Sequence, residues 1–275
     1  MPNNPLQKYF RQPKIFVGLP SKGIYNPPGT LSGDVSKMPV YGMTGMDEII
    51  SNTPDALLSG ESTVQVIESC CPNILNAWDL TALDTDFILT AIKIATFGNK
   101  MGIRHTCSKC SAENEYEIEL GDFIDHYKNY QYSNDVAVGD LKVKLKPMTY
   151  KQSTEFSLRN FGMQQQLTQV LGIQDEAEKN QMSSKLFQDL GKLQNEIYAS
   201  SVESVEMDAQ VVTEPEFIRE WLMNSEKSVI EKIREAFDKN RQGLRTPLQH
   251  VVCDSCDAKN EISVDLDQAN FFVKA

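Results

Sequence analysis

The chain has 275 residues, 40% of them hydrophobic, and carries 38 acidic against 27 basic side chains for a net charge of −11. That length suits one large domain or two modest ones, and the negative charge disfavours long-range attraction to a phosphate backbone, so nucleic acid is not an expected partner. No apolar run approaches the roughly 20 residues needed to span a bilayer, and the polar start Met1-Pro-Asn-Asn-Pro lacks the basic and apolar regions of a signal peptide, so a soluble, reducing compartment is expected.

The first 33 residues are rich in Pro and Gly, with Leu19-Pro20-Ser21-Lys22-Gly23 and Pro27-Pro28-Gly29 opposing regular helix. Residues 1–33 therefore read as an extended N-terminal arm, lying either on a neighbour or on its own domain. A short strand over Lys37 to Tyr41 follows, and residues 34–100 read as a helical subdomain. Thr44 can cap a helix with Asp47 and Glu48 in its first turn. Thr53-Pro54 opens another that stops at Gly60, and a third runs from Ser62 to Cys71, before Pro72. Cys70 and Cys71 follow Val64, Val66 and Ile67, which makes them small hydrophobes of a core. A longer helix after Asp84 carries Phe87, Ile88, Ala91, Ile92 and Ala95 at helical spacing and ends at Gly98.

Next come two segments that are near-copies of each other. Cys107-Ser-Lys-Cys110 leads into Ala112, Asn114-Glu115 and an alternating run to Leu120. Cys253-Asp-Ser-Cys256 leads into Ala258, Asn260-Glu261 and an alternating run to Leu266. Each reads as a metal knuckle feeding a strand. Two thiolates separated by two residues can turn around one ion, and two such pairs make the tetrahedral sulfur shell that zinc prefers. Cys110 and Cys253 stand 143 positions apart, against the roughly 15–20 of a compact zinc ribbon. Closing a flexible loop of that length costs about 4 kcal/mol, whereas a structural zinc site contributes roughly 10–16 kcal/mol, so the metal term wins. Cys107, Cys110, Cys253 and Cys256 are thus the candidate ligands of a structural Zn²⁺. Two independent redox pairs and metal-free buried cysteines are the weaker alternatives. Residues 101–147 and 247–275 make a split zinc-ribbon-like domain of small antiparallel sheet, to which Val143 and Leu145 add a strand ending at Pro147.

Between the halves, residues 148–246 read as a helical insertion. Leu186, Leu190, Leu193 and Ile197 form one apolar seam, packing on their own domain or on a partner helix. Glu214-Pro215 opens a helix with Phe217, Ile218, Trp221 and Leu222 on one face, and another from Ser225 to about Asn240 carries Val229, Ile230, Ile233 and Phe237. Pro247 returns the chain to strand, and a last short helix can hold Phe271 and Phe272. The fold class is therefore α+β: a helical N-terminal subdomain and a split zinc-ribbon-like sheet with a large helical insertion.

No catalytic constellation accompanies these elements. His105, His126 and His250 match no zinc-protease or triad spacing, although His105 and His250 precede the knuckles and can in principle replace a thiol. Asp84 and Asp86 are explained by capping and the helix dipole. Tyr41-Gly42-Met43-Thr44-Gly45 is no phosphate loop. Four thiolates leave no open coordination position, so the metal reads as structural and the chain as no enzyme.

Several motifs go further. Leu19-Pro20-Ser21-Lys22-Gly23-Ile24-Tyr25, Met43-Thr44-Gly45-Met46-Asp47-Glu48, Thr53-Pro54-Asp55-Ala56-Leu57-Leu58-Ser59-Gly60, Val66-Ile67-Glu68-Ser69-Cys70 and the run Asp86 to Gly98 resemble the baseplate hub assembly family of T-even-type contractile-tailed bacteriophages. The resemblance covers about residues 15–150 and resumes near 247–266. It implies a viral tail-morphogenesis protein, either a hub subunit or a factor that helps assemble the hub. Its partners would be other hub or tail proteins, with self-association open, in the host cytoplasm during assembly and in the baseplate if it is retained. The runner-up, a zinc-ribbon nucleic-acid-binding regulator, needs a basic, often aromatic face. Here the knuckles are flanked by Glu113, Glu115, Glu117 and Glu119, and by Asp254, Asp257, Glu261 and Asp265.

Overall fold

A computed structural model describes residues 5–53, 59–208 and 210–264. The expected helix opening at Thr53-Pro54 falls largely outside these residues, and the one at Phe271 and Phe272 wholly so. The chain forms two units, Met1–Tyr130 with Arg245–Ala275, and Gln131–Leu244. Both mix helices with small antiparallel sheets.

In the first unit the N-terminal segment contributes a strand. Strand β1 (Pro13–Val17) pairs antiparallel with β2 (Met38–Tyr41), and both lie on the apolar helix Ala82–Phe97 of the same unit. Arg11 fastens the entry to β1. Its guanidinium donates to the Gly42 carbonyl at 3.0 Å, to Asp47 Oδ2 at 3.1 Å, and to the carbonyl and hydroxyl of Ser69 at 2.7 and 2.9 Å. Beyond β1 the backbone passes so close to Ser36 that a Cβ at Gly18 would stand 2.8 Å from the Ser36 carbonyl oxygen, a clash that only glycine avoids.

Helix α1 (Gly45–Ser51) begins with a capping box in which Thr44 and Asp47 satisfy each other's backbone N–H groups. Helices α2 (Glu61–Cys70) and α3 (Ala82–Phe97) supply the core: Val64, Val66, Ile67, Phe87, Ile88, Leu89 and Ile92 are all buried, as are Cys70 and Cys71. Burial pushes the Cys70 thiol up to about 12, so it stays protonated and inert. Thr81, rather than Asp84, caps α3. Asp84 sits in the first turn, where its carboxylate accepts from the Thr81 hydroxyl at 3.0 Å and the Ser21 amide at 3.1 Å.

Asp86 lies two residues further along α3, and its carboxyl has no such lowering contact. Burial alone pushes its pKa from 3.8 up to about 7. In that window the folded chain holds a proton that the unfolded chain has lost, so stability declines as pH rises from 3.8 to about 7 and stays lower above it. Asp86→Asn is expected to raise stability by about 2 kcal/mol at pH 8 and to change little at pH 4. Denaturant titrations of both chains at the two pH values check this.

The second unit is built on a four-stranded antiparallel sheet in the order β5 (Asp135–Val138), β6 (Leu141–Leu145), β7 (Val202–Met207), β8 (Gln210–Val212). The strand of Val143 and Leu145 belongs to this sheet, and the β7–β8 hairpin lies in a stretch that reads as purely helical in sequence. Helices α5 (Tyr150–Leu171) and α6 (Glu176–Ser201) follow α4 of the first unit (Leu120–Asn129) in chain order and pack on each other. Thr149 and Gln152 close a capping box at the start of α5. Helices α7 (Pro215–Asn224) and α8 (Lys227–Gly243) complete the unit. Val138, Val143, Leu145, Val202 and Val205 from the sheet meet Tyr198, Ile218, Leu222, Ile233 and Phe237 from the helices in one buried cluster. Along the seam of α6, Leu186 and Leu193 are buried while Leu190 and Ile197 are partly so. No helix among the described residues is long and apolar enough to cross a membrane.

Candidate metal centre

Two hairpins build the site. Strands β3 (Lys100–Thr106) and β4 (Glu113–Glu119) pair antiparallel, with the first Cys-x-x-Cys in the turn between them. Strands β9 (Gln249–Val252) and β10 (Lys259–Ile262) do the same around the second. The turns match bond for bond. Cys107 and Cys253 donate their backbone N–H to Ala112 and Ala258, each at 2.9 Å. Their carbonyls accept from Ser111 and Asp257 at 2.9 and 3.0 Å. Ser111 and Asp257, at equivalent positions, take left-handed φ values of 58° and 53°. A short polar side chain tolerates that region better than a branched one, which accounts for Ser and Asp at this corner.

The pairing places all four sulfurs within 4.8 Å of one another. Cys107 Sγ lies 3.8 Å from Cys256 Sγ, and Cys110 Sγ lies 3.6 Å from Cys253 Sγ, and both of these contacts cross from one knuckle to the other. A tetrahedral shell with metal–sulfur bonds of about 2.3 Å has sulfur–sulfur edges of about 3.8 Å. The donor set therefore fits a four-thiolate ion, and the four cysteines could hold one. Neither His105 nor His250 joins the cluster. His250 instead faces Glu261 at 3.5 Å on the exposed side of its hairpin, in the place where Arg104 faces Glu115 at 2.7 Å in the other.

The electrostatics agree with a cation. Backbone N–H groups of Cys110 and Lys109 point at the Cys107 sulfur and hold its pKa down to about 6; those of Ser255 and Cys256 lower Cys253. At Cys256 the Ala258 N–H acts in the same direction, but the surrounding Cys110, Cys253 and Cys107 sulfurs outweigh it and push the thiol up to about 12. Four thiolates this close repel one another unless a positive ion sits among them. Cys107 and Cys253 are buried, Cys256 is partly exposed and Cys110 is exposed, so the cluster opens to solvent on one side.

Sequence reasoning singled out the four sulfurs but not their supports. Asn114 and Asn260, buried on β4 and β10, reach across to the opposite knuckle: Asn114 Nδ2 donates to Cys253 Sγ at 3.5 Å and Asn260 Nδ2 to Cys107 Sγ at 3.7 Å. Their repetition after each knuckle was the signal for them. Tyr116 adds a further crossing bond, from its hydroxyl to the Val252 carbonyl at 3.1 Å.

A family model described as T4 bacteriophage base plate protein matches residues 43–273, running through both knuckles and all of the second unit. No curated protein and no solved structure matches the chain. With well over half of its length matched, the chain belongs to the family of T4 bacteriophage base plate proteins.

Proposed function

We propose that the chain is a structural or assembly component of the baseplate hub, which binds other hub or tail proteins and is stapled by a structural zinc at Cys107, Cys110, Cys253 and Cys256. The family match over residues 43–273 carries the baseplate assignment. The finer placement at the hub is supported by the motif series from Leu19 to Gly98. Zinc is favoured over other ions because soft thiolate donors in a tetrahedral set suit it and a closed shell suits a structural role. The reading assigns no reaction to the site. When bound, the ion would neutralise the thiolates and fasten the two hairpins together. The chain's own part is to aim the sulfurs and to supply N–H donors around them. The exposed Glu113, Glu115, Glu117 and Glu119 of β4 and Asp254 and Asp257 of the second knuckle favour protein over nucleic acid as partner.

Affinity capture of a tagged chain from infected cells is expected to recover hub or tail-tube proteins at some stage of assembly. Recovery of neither at any stage overturns the hub assignment. Mass spectrometry of purified particles then separates a retained component from a helper that leaves.

A further inference from the structure

Four thiolates around a divalent ion carry a surplus of negative charge, and N–H donors aimed at the sulfurs are what relieve it. Cys110 is exposed and Cys256 partly exposed, so water can serve them. Cys107 and Cys253 are 1% and 0% exposed and depend on donors from the protein. Those two sulfurs are the ones that receive a side-chain amide from the opposite hairpin, Cys107 from Asn260 and Cys253 from Asn114.

The amides are themselves fixed. Asn114 is 5% exposed between the exposed Glu113 and Glu115; its Nδ2 also donates to the Ala112 carbonyl at 3.0 Å, while its Oδ1 accepts from the Asp254 N–H at 3.0 Å. Asn260 is 7% exposed; its Nδ2 also donates to the Ala258 carbonyl at 3.1 Å, while its Oδ1 accepts from the Ser108 hydroxyl at 3.3 Å. Each amide therefore grips its own turn with one hydrogen, the opposite sulfur with the other, and the opposite turn with its oxygen. A buried strand position is a costly place for an amide unless such partners exist, and the same solution occurs in both hairpins.

We propose that Asn114 and Asn260 are positioning residues of the metal site, exchanged between the hairpins so that each knuckle's buried sulfur is aimed and charge-relieved by the other. Neither half is then an organised ligand pair on its own. This rests on the metal reading above. Asn114→Asp and Asn260→Asp keep the side-chain shape and the accepting oxygen but remove the donor to sulfur. Each is expected to weaken metal binding about 10–100-fold and to alter the thiolate-to-metal absorption of the Co²⁺-loaded chain. The probes are Co²⁺ titration and competition with a chelator for Zn²⁺, on the full chain.

A second measurement needs no variant. In the wild-type chain loaded with ¹¹³Cd, the side-chain amide protons of Asn114 and Asn260 are expected to show coupling to the metal through the sulfur. Absence of that coupling, or variants that bind metal as tightly and with the same spectrum as wild type, overturns the positioning role and leaves the metal site standing. A wild-type chain that takes up no Co²⁺, Zn²⁺ or Cd²⁺ overturns both.

Discussion

Cys107→Ser and Cys256→Ser are each expected to lose the metal and with it the cooperative fold of the knuckle hairpins. A structural zinc site contributes roughly 10–16 kcal/mol at neutral pH, because the ligands are dispersed in the unfolded chain and binding free energy becomes folding free energy. Whole domains are stable by only about 5–15 kcal/mol, so removal of one ligand is enough to unfold what the ion holds. Metal analysis of the purified chains and thermal melting read both effects. Cys70→Ala is the control: Cys70 lies in the core between α2 and the Arg11 guanidinium, whose nitrogen stands 3.6 Å from its sulfur, and its loss should leave metal content unchanged. An undiminished melting temperature in the Cys107 variant would make the site dispensable. A chelator should reproduce the loss in the wild-type chain, entering from the side where Cys110 is exposed.

Phe237→Ala should damage the other unit and spare the metal. Phe237 packs edge-to-face on Tyr198, with ring centroids 5.5 Å apart and planes at 75°, inside the cluster formed by the sheet, Ile233 and Leu222. Truncating a buried phenylalanine costs about 3–5 kcal/mol, from lost transfer free energy and the cavity left behind. All four sulfurs belong to the first unit, so metal content is expected to stay at the wild-type level while the melting of Gln131–Leu244 moves to lower temperature. Loss of metal in this variant would mean that the two units unfold as one.

Why some elements are legible in the sequence and others are not follows from their local physics. Thr44 with Asp47, Thr149 with Gln152, and Pro215 after Glu214 are local devices, and each marks a helix start without help from the rest of the chain. The knuckles are legible because two near-copies in one chain carry more information than either alone. Strand β7 is hidden by its own irregularity. The register with β6 shifts between Lys144 and Leu145, so the residues it buries, Val202 and Val205, stand three apart and imitate a helical face. No glycine or proline separates it from α6, and the turn into β8 uses Asp208 at φ 53° in place of the usual glycine signal. Strand β1 is masked by the prolines on both sides of Lys14-Ile15-Phe16-Val17. The reach of Arg11 to Asp47 and Ser69 depends on tertiary structure alone and leaves no local trace.

The matched hairpins also impose an order in time. The first Cys-x-x-Cys leaves the ribosome long before the second, and everything in Gln131–Leu244 is made in between. At about 5–20 residues per second the wait is roughly 7–30 s, ample for a contiguous sheet-and-helix unit to form. An ion captured by the early pair alone would be held by two sulfurs and ordinary water, and released as readily. Tight capture would come only when the late pair arrives, so the closing of this clasp would report that synthesis has passed the second hairpin.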